Sequence, residues 1–297
     1  GKGEVLVGVA NEGEVTHPRT GRTMAPWLPG QGEVSMPRGT DRRAIFADWL
    51  THPDNPWFAR AAVNRIWAYV MGRGIVEPVD DFRDSNPPVN GPLLEALARD
   101  FAEHGFDRGH LLRVILNSHT YQASSRSTPA NAEDSQLFSH YQAHLLTAEQ
   151  LLDAVCRVTG LAESFEGQPA GTRAIALPSP QMNHAFLKTF GQPSRDTACT
   201  CERGSGPQLA QALEFLRGNL VHRKLESGDN RFRKALAAGK SDHEIVDELY
   251  LAALSRLPSM EERESAREHI AKSKNREAAM ADVCWAIMNT NEFVFQH

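Results

Sequence analysis

Residues 55–74 read NPWFARAAVNRIWAYVMGRG, and this stretch predicts one amphipathic helix with clear ends. Asn55 and Pro56 supply a cap and a proline suited to the first helical turn. Gly72 and Gly74 end the pattern, because glycine is common just past a helix C-terminus. Between them, apolar side chains recur at helical spacing along one face, and they are Ala59, Ala62, Val63, Ile66, Trp67 and Val70.

The same helical pattern continues on both sides of this stretch. Upstream, a short apolar stripe begins after Asp41 and stops at Pro53. Downstream, Thr147, Ser241 and Ser259 each open a capping box, the sequence sign of a helix N-terminus. Further apolar stripes run through residues 93–101, 111–116, 151–158 and 280–288. Few segments after residue 40 indicate strands, so the sequence predicts an all-α body.

The first forty residues differ from this body. Residues 5–9 could form one short strand, and the rest of 1–40 is rich in proline and glycine, which is typical of an extended arm or a linker. The remainder, 41–297, is predicted to be a helical domain, either undivided or split into two helical subdomains by a long irregular loop at 165–208. Ordered loops of this length are uncommon and often functional.

Composition excludes several classes of protein. Hydrophobic residues make up 41% of the chain and charged residues 23%, as in ordinary soluble globular proteins. With 32 Lys and Arg against 37 Asp and Glu, the net charge is -5. This balance does not suggest a nucleic-acid-binding surface, because neutralising phosphates requires clustered cations. No run approaches the roughly 18 apolar residues of a membrane span. Because Cys-x-x-Cys-His is absent, no haem is expected to be attached to this chain.

The most conspicuous candidate site is the run Cys199-Thr200-Cys201-Glu202-Arg203. Two thiolates could bind a soft metal with a further ligand such as His222 or His184, but the spacing matches no standard zinc pattern. Structural or disulfide-bonded cysteines and a catalytic thiol are the alternatives. A bond between Cys199 and Cys201 would close a small strained ring, so free thiols or a shared ligand are favoured over it.

A second candidate polar site surrounds the helix of residues 56–71. Three carboxylates fall within five residues, and they could hold a hard cation such as calcium or simply pair with Arg83 and cap a helix, which is the favoured interpretation. Asn64 and Arg65 flank the apolar face, where polar side chains usually satisfy loop carbonyls. The three carboxylates belong to Asp80, Asp81 and Asp84, and Arg65 is expected to meet backbone carbonyls or a carboxylate such as Asp81 or Asp84.

Many short motifs of the chain resemble, in order, those of a planctomycete-associated domain of unknown function, number fifteen fifty-three. The resemblance runs from about His17 to the C-terminus. It is carried by residues 48–56, 63–67, 71–76, 81–83, 118–125, 199–203, 208–213, 254–258 and 289–293. One departure is the run 203–207, Arg-Gly-Ser-Gly-Pro, where the family more often has Arg-Ser-Ser-Glu-Pro, so a glutamate near the two cysteines is missing.

This resemblance implies a cellular location and neighbouring domains rather than an activity. Such domains usually lie at the C-terminal end of exported proteins, periplasmic or on the cell surface, and many of these proteins also carry a cytochrome-c-like module. The expected partners are therefore other domains of the same full-length protein, a cytochrome-c-like domain among them. No catalytic residue can be carried over, because the family has no settled activity.

Two functions are consistent with these observations. The first is a non-catalytic helical interaction or structural module of an exported, cytochrome-c-associated multidomain protein. The alternative is a hydrolase or binding domain for an extracellular polymer such as a polysaccharide, with a metal or polar site between the Asp80 loop and the Cys199 loop. The absence of a complete catalytic motif favours the first.

Overall fold

A computed structural model describes residues 8–9, 13–37, 39–178, 184–192 and 218–296 of the chain. They form two compact units, Gly1–Tyr141 and Gln142–His297. Helices and strands are numbered below along the described residues. None of the helices described is long and apolar enough to cross a lipid bilayer.

The first unit consists of a small hairpin followed by helices. The hairpin pairs β1 (Trp27–Leu28) with β2 (Gly32–Glu33), and the helices are α1 (Arg42–Leu50), α2 (Phe58–Met71), α3 (Gly91–Glu103) and α4 (Arg108–Leu116). Helix α2 ends at Gly72, which has φ 77°, as its sequence predicts. It packs against α3 and α4 around a core of buried side chains that includes Val63, Trp67, Leu94, Phe101, Leu111 and Ile115.

The second unit is a larger helical cluster. Its helices are α5 (Ala148–Thr159), α6 (Ala185–Thr189), α7 (Asn219–Glu226), α8 (Arg231–Ala237), α9 (Asp242–Leu254), α10 (Met260–Lys272), α11 (Arg276–Met288) and α12 (Asn291–Val294). Strands β3 (His144–Leu145) and β4 (Phe295–Gln296) pair antiparallel and so join the start of the unit to its end. The buried apolar faces of α5, α9 and α11 supply much of the core.

The predicted all-α body is confirmed, and so are the three capping boxes. Thr147, Ser241 and Ser259 each accept a hydrogen bond from the backbone N–H three residues on, while the Gln or Glu at that position bonds back. Of the strand suggested at 5–9, residues 5–7 lie outside the described residues, and 8–9 are irregular. The observed hairpin at 27–33 depends instead on Gly30 and Gly32, whose positive φ of 75° and 81° permits a tight turn.

The boundary between the two units falls between Tyr141 and Gln142. Phe165, Ala174 and Phe186 are buried in the same core as α5, so the described part of the 165–208 loop belongs to the second unit. Within it lie a short 3-10 helix, Ala174–Ala176, and helix α6.

Candidate functional site

Asn64, on the buried side of α2, holds the chain segment that follows the helix. Its side-chain amide donates to the carbonyls of Val76 at 2.9 Å and Val79 at 2.8 Å, and its oxygen accepts from the N–H of Val76 at 2.9 Å. A Cβ on Gly74 would clash with the Val76 carbonyl and approach the Asn64 amide, so this close passage requires glycine. The prediction that Asn64 satisfies loop carbonyls is confirmed.

Arg65 lies on the outer side of the same helix and binds one carboxylate with two parallel hydrogen bonds. Its Nε donates to Oδ1 of Asp80 at 2.7 Å and its Nη2 to Oδ2 at 3.0 Å. The predicted carboxylate partner is confirmed, and it is Asp80, the neighbour of the two examples Asp81 and Asp84. Because both side chains are between a third and a half exposed, water screens the pair.

The three acidic residues of this loop are not gathered around a common point. Asp81 accepts two hydrogen bonds of 2.6 Å from Arg83, and these bonds hold the pKa of the Asp81 carboxyl below its ordinary value. Asp84 is exposed, and α3 is capped by Asn90 rather than by either aspartate. The favoured interpretation, an Asp81–Arg83 ion pair, is confirmed. In the described part of the chain these carboxylates form no cluster able to hold a cation.

The cysteine element lies outside the described residues, so the predictions made for it stay predictions. Its members are Cys199, Cys201, Glu202 and Arg203. The weak metal candidate His222 is exposed on α7, where its Nε2 lies 3.0 Å from Oε1 of Glu226 one turn away.

A polar cluster in the second unit lies at the start of the long loop, with Lys224 buried and the other members half-buried. We call it the Glu163 cluster: Cys156, Glu163, His184 and Lys224. Lys224 is only 4% exposed, and its Nζ lies 3.0 Å from Oε2 of Glu163. The same ammonium donates to the backbone carbonyls of Leu161 at 2.8 Å and Ala162 at 3.4 Å. Lys224 therefore ties residues 161–163 to α7.

The other two members, Cys156 and His184, lie beside this pair. His184 Nε2 lies 4.0 Å from Oε1 of Glu163. Burial raises the pKa of the Cys156 thiol, although neighbouring Lys224 partly opposes that rise. A thiol kept protonated is a poor nucleophile, and the ammonium of Lys224 is fully engaged by carbonyls and a carboxylate. These contacts anchor residues 161–163, at the start of the long loop. Sequence reasoning missed the cluster apart from His184.

The Glu163 cluster predicts a specific acid dependence of stability. His184, Lys224 and the charge of Arg223 hold the pKa of Glu163 at about 2, below its ordinary 4.5. A carboxyl with a lowered native pKa stabilises the fold above its unfolded pKa, and that stability is lost as the pH falls from about 4.5 toward 2. Glu163→Gln should therefore reduce stability at pH 7 and cost progressively less toward pH 3. Urea midpoints of both proteins between pH 7 and pH 3 check this, and a constant difference would contradict it.

Arg256, from the 254–258 motif, is held by two carboxylates. Its guanidinium donates two bonds of 2.8 Å to Glu262 and two of 2.6 Å to Glu292, which belongs to the 289–293 motif. These bonds raise the pKa of Arg256 and lower that of Glu262 to about 2. The two motifs therefore meet in one ion-pair network that joins the start of α10 to α12.

Exposed and half-buried aromatic rings gather on the first unit. Phe46 and Trp49 of α1 have ring centroids 5.5 Å apart, and the Trp49 and Trp57 centroids are 6.0 Å apart. Phe46 and Trp57 remain 48% and 45% exposed. We call these three side chains the tryptophan face. The hairpin turn approaches it, since a Cβ on Gly30 would lie 3.3 Å from the Trp57 ring.

An open cleft of about 490 Å³ adjoins the turn that carries Trp57. It lies between the 51–56 segment and α3, and its walls mix apolar and charged groups. Across it, Arg60 and Glu95 form an ion pair at 2.8 Å.

Asp100, His104 and His110 bring three potential metal-ligand atoms within 4.8 Å of one another. They form the one group of this kind found among the described residues. Sequence reasoning missed it, although Asp100 and His104 are spaced i, i+4 at the end of α3.

The family comparison agrees with the motifs. The model of a protein family described as PSD1, protein of unknown function (DUF1553), matches residues 42–270. No curated protein and no solved structure matches the chain significantly. Since the match covers more than half of its length, the chain belongs to the DUF1553 family of proteins of unknown function.

Proposed function

We propose that this chain is a non-catalytic helical interaction module of an exported, cytochrome-c-associated multidomain protein. It docks through the tryptophan face onto another domain of that protein. The exported location and the cytochrome-c-like partner are drawn from the resemblance of the motifs to the family.

The observation that carries the proposal is the incomplete burial of α1, in which Phe46 is exposed and the other large apolar side chains are half-buried. No residue of Arg42–Leu50 is buried, although four of its nine side chains are large and apolar: Ile45, Phe46, Trp49 and Leu50. A surface helix normally hides such a stripe in its own core. Contiguous exposed aromatic surface marks interaction sites, and tryptophan is enriched among the residues that contribute most to interfaces.

The charges around the tryptophan face favour a protein partner over a polyanion. Arg42 and Arg43 open α1, but Asp41 and Asp48 accompany them, so neither sign dominates. Arg43 is also neutralised by two hydrogen bonds to Asp41, at 2.9 and 2.8 Å. An aromatic centre with a mixed polar rim has the composition of a domain–domain interface.

The polar residues of the family motifs support a non-catalytic role. Asn64, Arg65 and Arg256 are each engaged in intramolecular contacts that fix a loop or join two elements. A catalytic site would instead present groups that converge on open space beside a nucleophile or base.

The test is binding of the chain to the neighbouring domains encoded in the same gene, each produced separately, by isothermal titration calorimetry. Replacing both Trp49 and Trp57 by Ala should weaken binding at least tenfold, because buried tryptophans commonly contribute 1.4 kcal/mol or more, roughly, to an interface. Tyr69→Ala is the matched control, since Tyr69 is a 66% exposed aromatic residue of α2 in the same unit. Equal affinities for the double variant and the parent chain would contradict the proposal.

The second candidate, a binding or hydrolytic domain for an extracellular polysaccharide, is favoured by one observation. The open cleft beside the tryptophan face carries charged groups at its walls, including Asp54, Arg60 and Glu95. Aromatic platforms next to polar clefts suit sugar rings, which have apolar faces and polar edges. The same double variant separates the two functions. Lost retention in polysaccharide-containing gels, with domain binding unchanged, would favour the second.

A further inference from the structure

We propose that Asp100, His104 and His110 form a surface binding site for a divalent transition-metal ion of the Zn²⁺ class. This inference is independent of the docking proposed above. It rests on how one carboxylate and two imidazoles converge at the junction of α3 and α4.

The three side chains are already in mutual contact. His110 Nε2 lies 2.8 Å from Asp100 Oδ2, and His104 Nδ1 lies 3.3 Å from Asp100 Oδ1 and 2.8 Å from the Asp100 backbone carbonyl oxygen. The two imidazole rings stack with their centroids 3.7 Å apart and their planes 16° from parallel. Each imidazole thus faces the same carboxylate from a different helix or helix end.

The backbone that carries these ligands is firmly held. Asp100 is one helical turn before His104, the residue that ends α3, and the His104 N–H donates to the Asp100 carbonyl at 3.1 Å. Asp107 caps α4 and bonds the backbone N–H groups of Gly109 and His110. The turn between the helices is therefore fixed at both ends.

Phe106 secures the turn further. It has a φ of 60°, a left-handed conformation that is unfavourable for a side chain with a Cβ. Its ring packs edge-on against Phe101 and Phe58, with centroids 5.5 and 5.2 Å apart. This packing compensates for the unfavourable conformation and keeps the start of α4 beside the end of α3.

The donor set and the spacing suit a small transition metal. Neutral imidazole and carboxylate are ligands of Zn²⁺, Co²⁺, Ni²⁺ and Cu²⁺. Ligand bonds of about 2.0–2.1 Å in tetrahedral geometry separate ligand atoms by roughly 3.3 Å, so atoms that already lie within 4.8 Å of one another need to shift only modestly. On binding, His104 Nδ1 would leave the Asp100 carbonyl, and water would complete the coordination.

The ion can reach the site from solvent. The side chains of His104, Asp100 and His110 are 50%, 34% and 24% exposed. With one carboxylate and two neutral imidazoles, binding leaves a net charge of +1, which water ligands and the solvent-exposed position accommodate.

The experiment is a titration of the untagged chain with Co²⁺ and with Zn²⁺. Co²⁺ is followed by its visible absorption and Zn²⁺ by calorimetry. One ion per chain is expected, with His104→Asn and His110→Asn each weakening affinity at least about tenfold, as expected for the loss of a direct ligand. His269→Asn is the matched control, because its Nε2 lies 3.0 Å from a single carboxylate, Asp282, and it should bind as the parent does.

Circular dichroism without metal establishes that each variant is folded, and Asp100→Asn provides a third variant of nearly unchanged shape. Unchanged affinity in the two histidine variants would overturn the proposal. So would an ion that is lost in Cys199→Ser or Cys201→Ser but retained in His104→Asn, since that pattern assigns the metal to the cysteines.

Discussion

Asn64→Ala is expected to lower the free energy of unfolding of the first unit by about 3–4 kcal/mol, because a buried backbone donor and acceptor lose their partner. The Asn64 side chain is fully buried and makes three hydrogen bonds to the backbone of Val76 and Val79. Alanine leaves the Val76 N–H and carbonyl unpaired at about 1–3 kcal/mol each, and it also leaves a small cavity.

Urea unfolding followed by tryptophan fluorescence measures this change. Four of the five tryptophans, Trp27, Trp49, Trp57 and Trp67, belong to the first unit, so the signal reports mainly on it. Arg65→Ala is the matched control on the next residue of α2. Its ion pair with Asp80 is largely exposed, so its loss should cost less than about 1 kcal/mol. A smaller effect for Asn64→Ala than for Arg65→Ala would contradict the role given to Asn64.

The helices could be predicted from the sequence because their signals are local. Capping boxes and terminal glycines act within four residues, and each of those singled out at Thr147, Ser241, Ser259 and Gly72 occurs in the structure. Asn64 was also foreseeable, since a polar residue at the margin of an apolar stripe must find partners in whatever passes beside it.

The partner of Arg65 was harder to predict, for a physical reason. Its carboxylate lies in an irregular segment, where no periodicity fixes which residue faces the helix. The path of that segment is set by Asn64 and Gly74, which bring Val76 and Val79 against α2 and so place Asp80 beside Arg65. Asp81 then turns to its own neighbour Arg83.

The Glu163 cluster and the group formed by Asp100, His104 and His110 show two further reasons why a site cannot be predicted from the sequence. Glu163 and Lys224 lie 61 residues apart in the chain, and only tertiary packing of α7 brings them together. Asp100 and His104 carry a local i, i+4 signal, but the contribution of His110 depends on the left-handed conformation of Phe106. A turn that places a phenylalanine at positive φ has no clear sequence signature.

Lys224→Met is expected to destabilise the second unit by about 3–5 kcal/mol, the usual effect of removing one partner from a buried ion pair. Methionine fills most of the volume of the lysine stem, so the loss of stability reports on the charge of Lys224 and its hydrogen bonds rather than on packing. Glu163 would keep only His184 and the exposed Arg223 nearby, and the carbonyls of Leu161 and Ala162 would lose their donor.

Two further variants separate the effect of charge from that of packing. Urea unfolding of this unit is followed by circular dichroism, because Trp285 is its one tryptophan. Arg223→Ala is the control: its guanidinium lies 3.1 Å from the same carboxylate but is 66% exposed, so its loss should cost less than about 1 kcal/mol. Adding Glu163→Leu to Lys224→Met should restore part of the lost stability, because the isolated carboxylate is the main source of the penalty. If the double variant were less stable than Lys224→Met alone, the ammonium would matter chiefly as the donor to Leu161 and Ala162, and Glu163 would stabilise the loop through His184 and Arg223 instead.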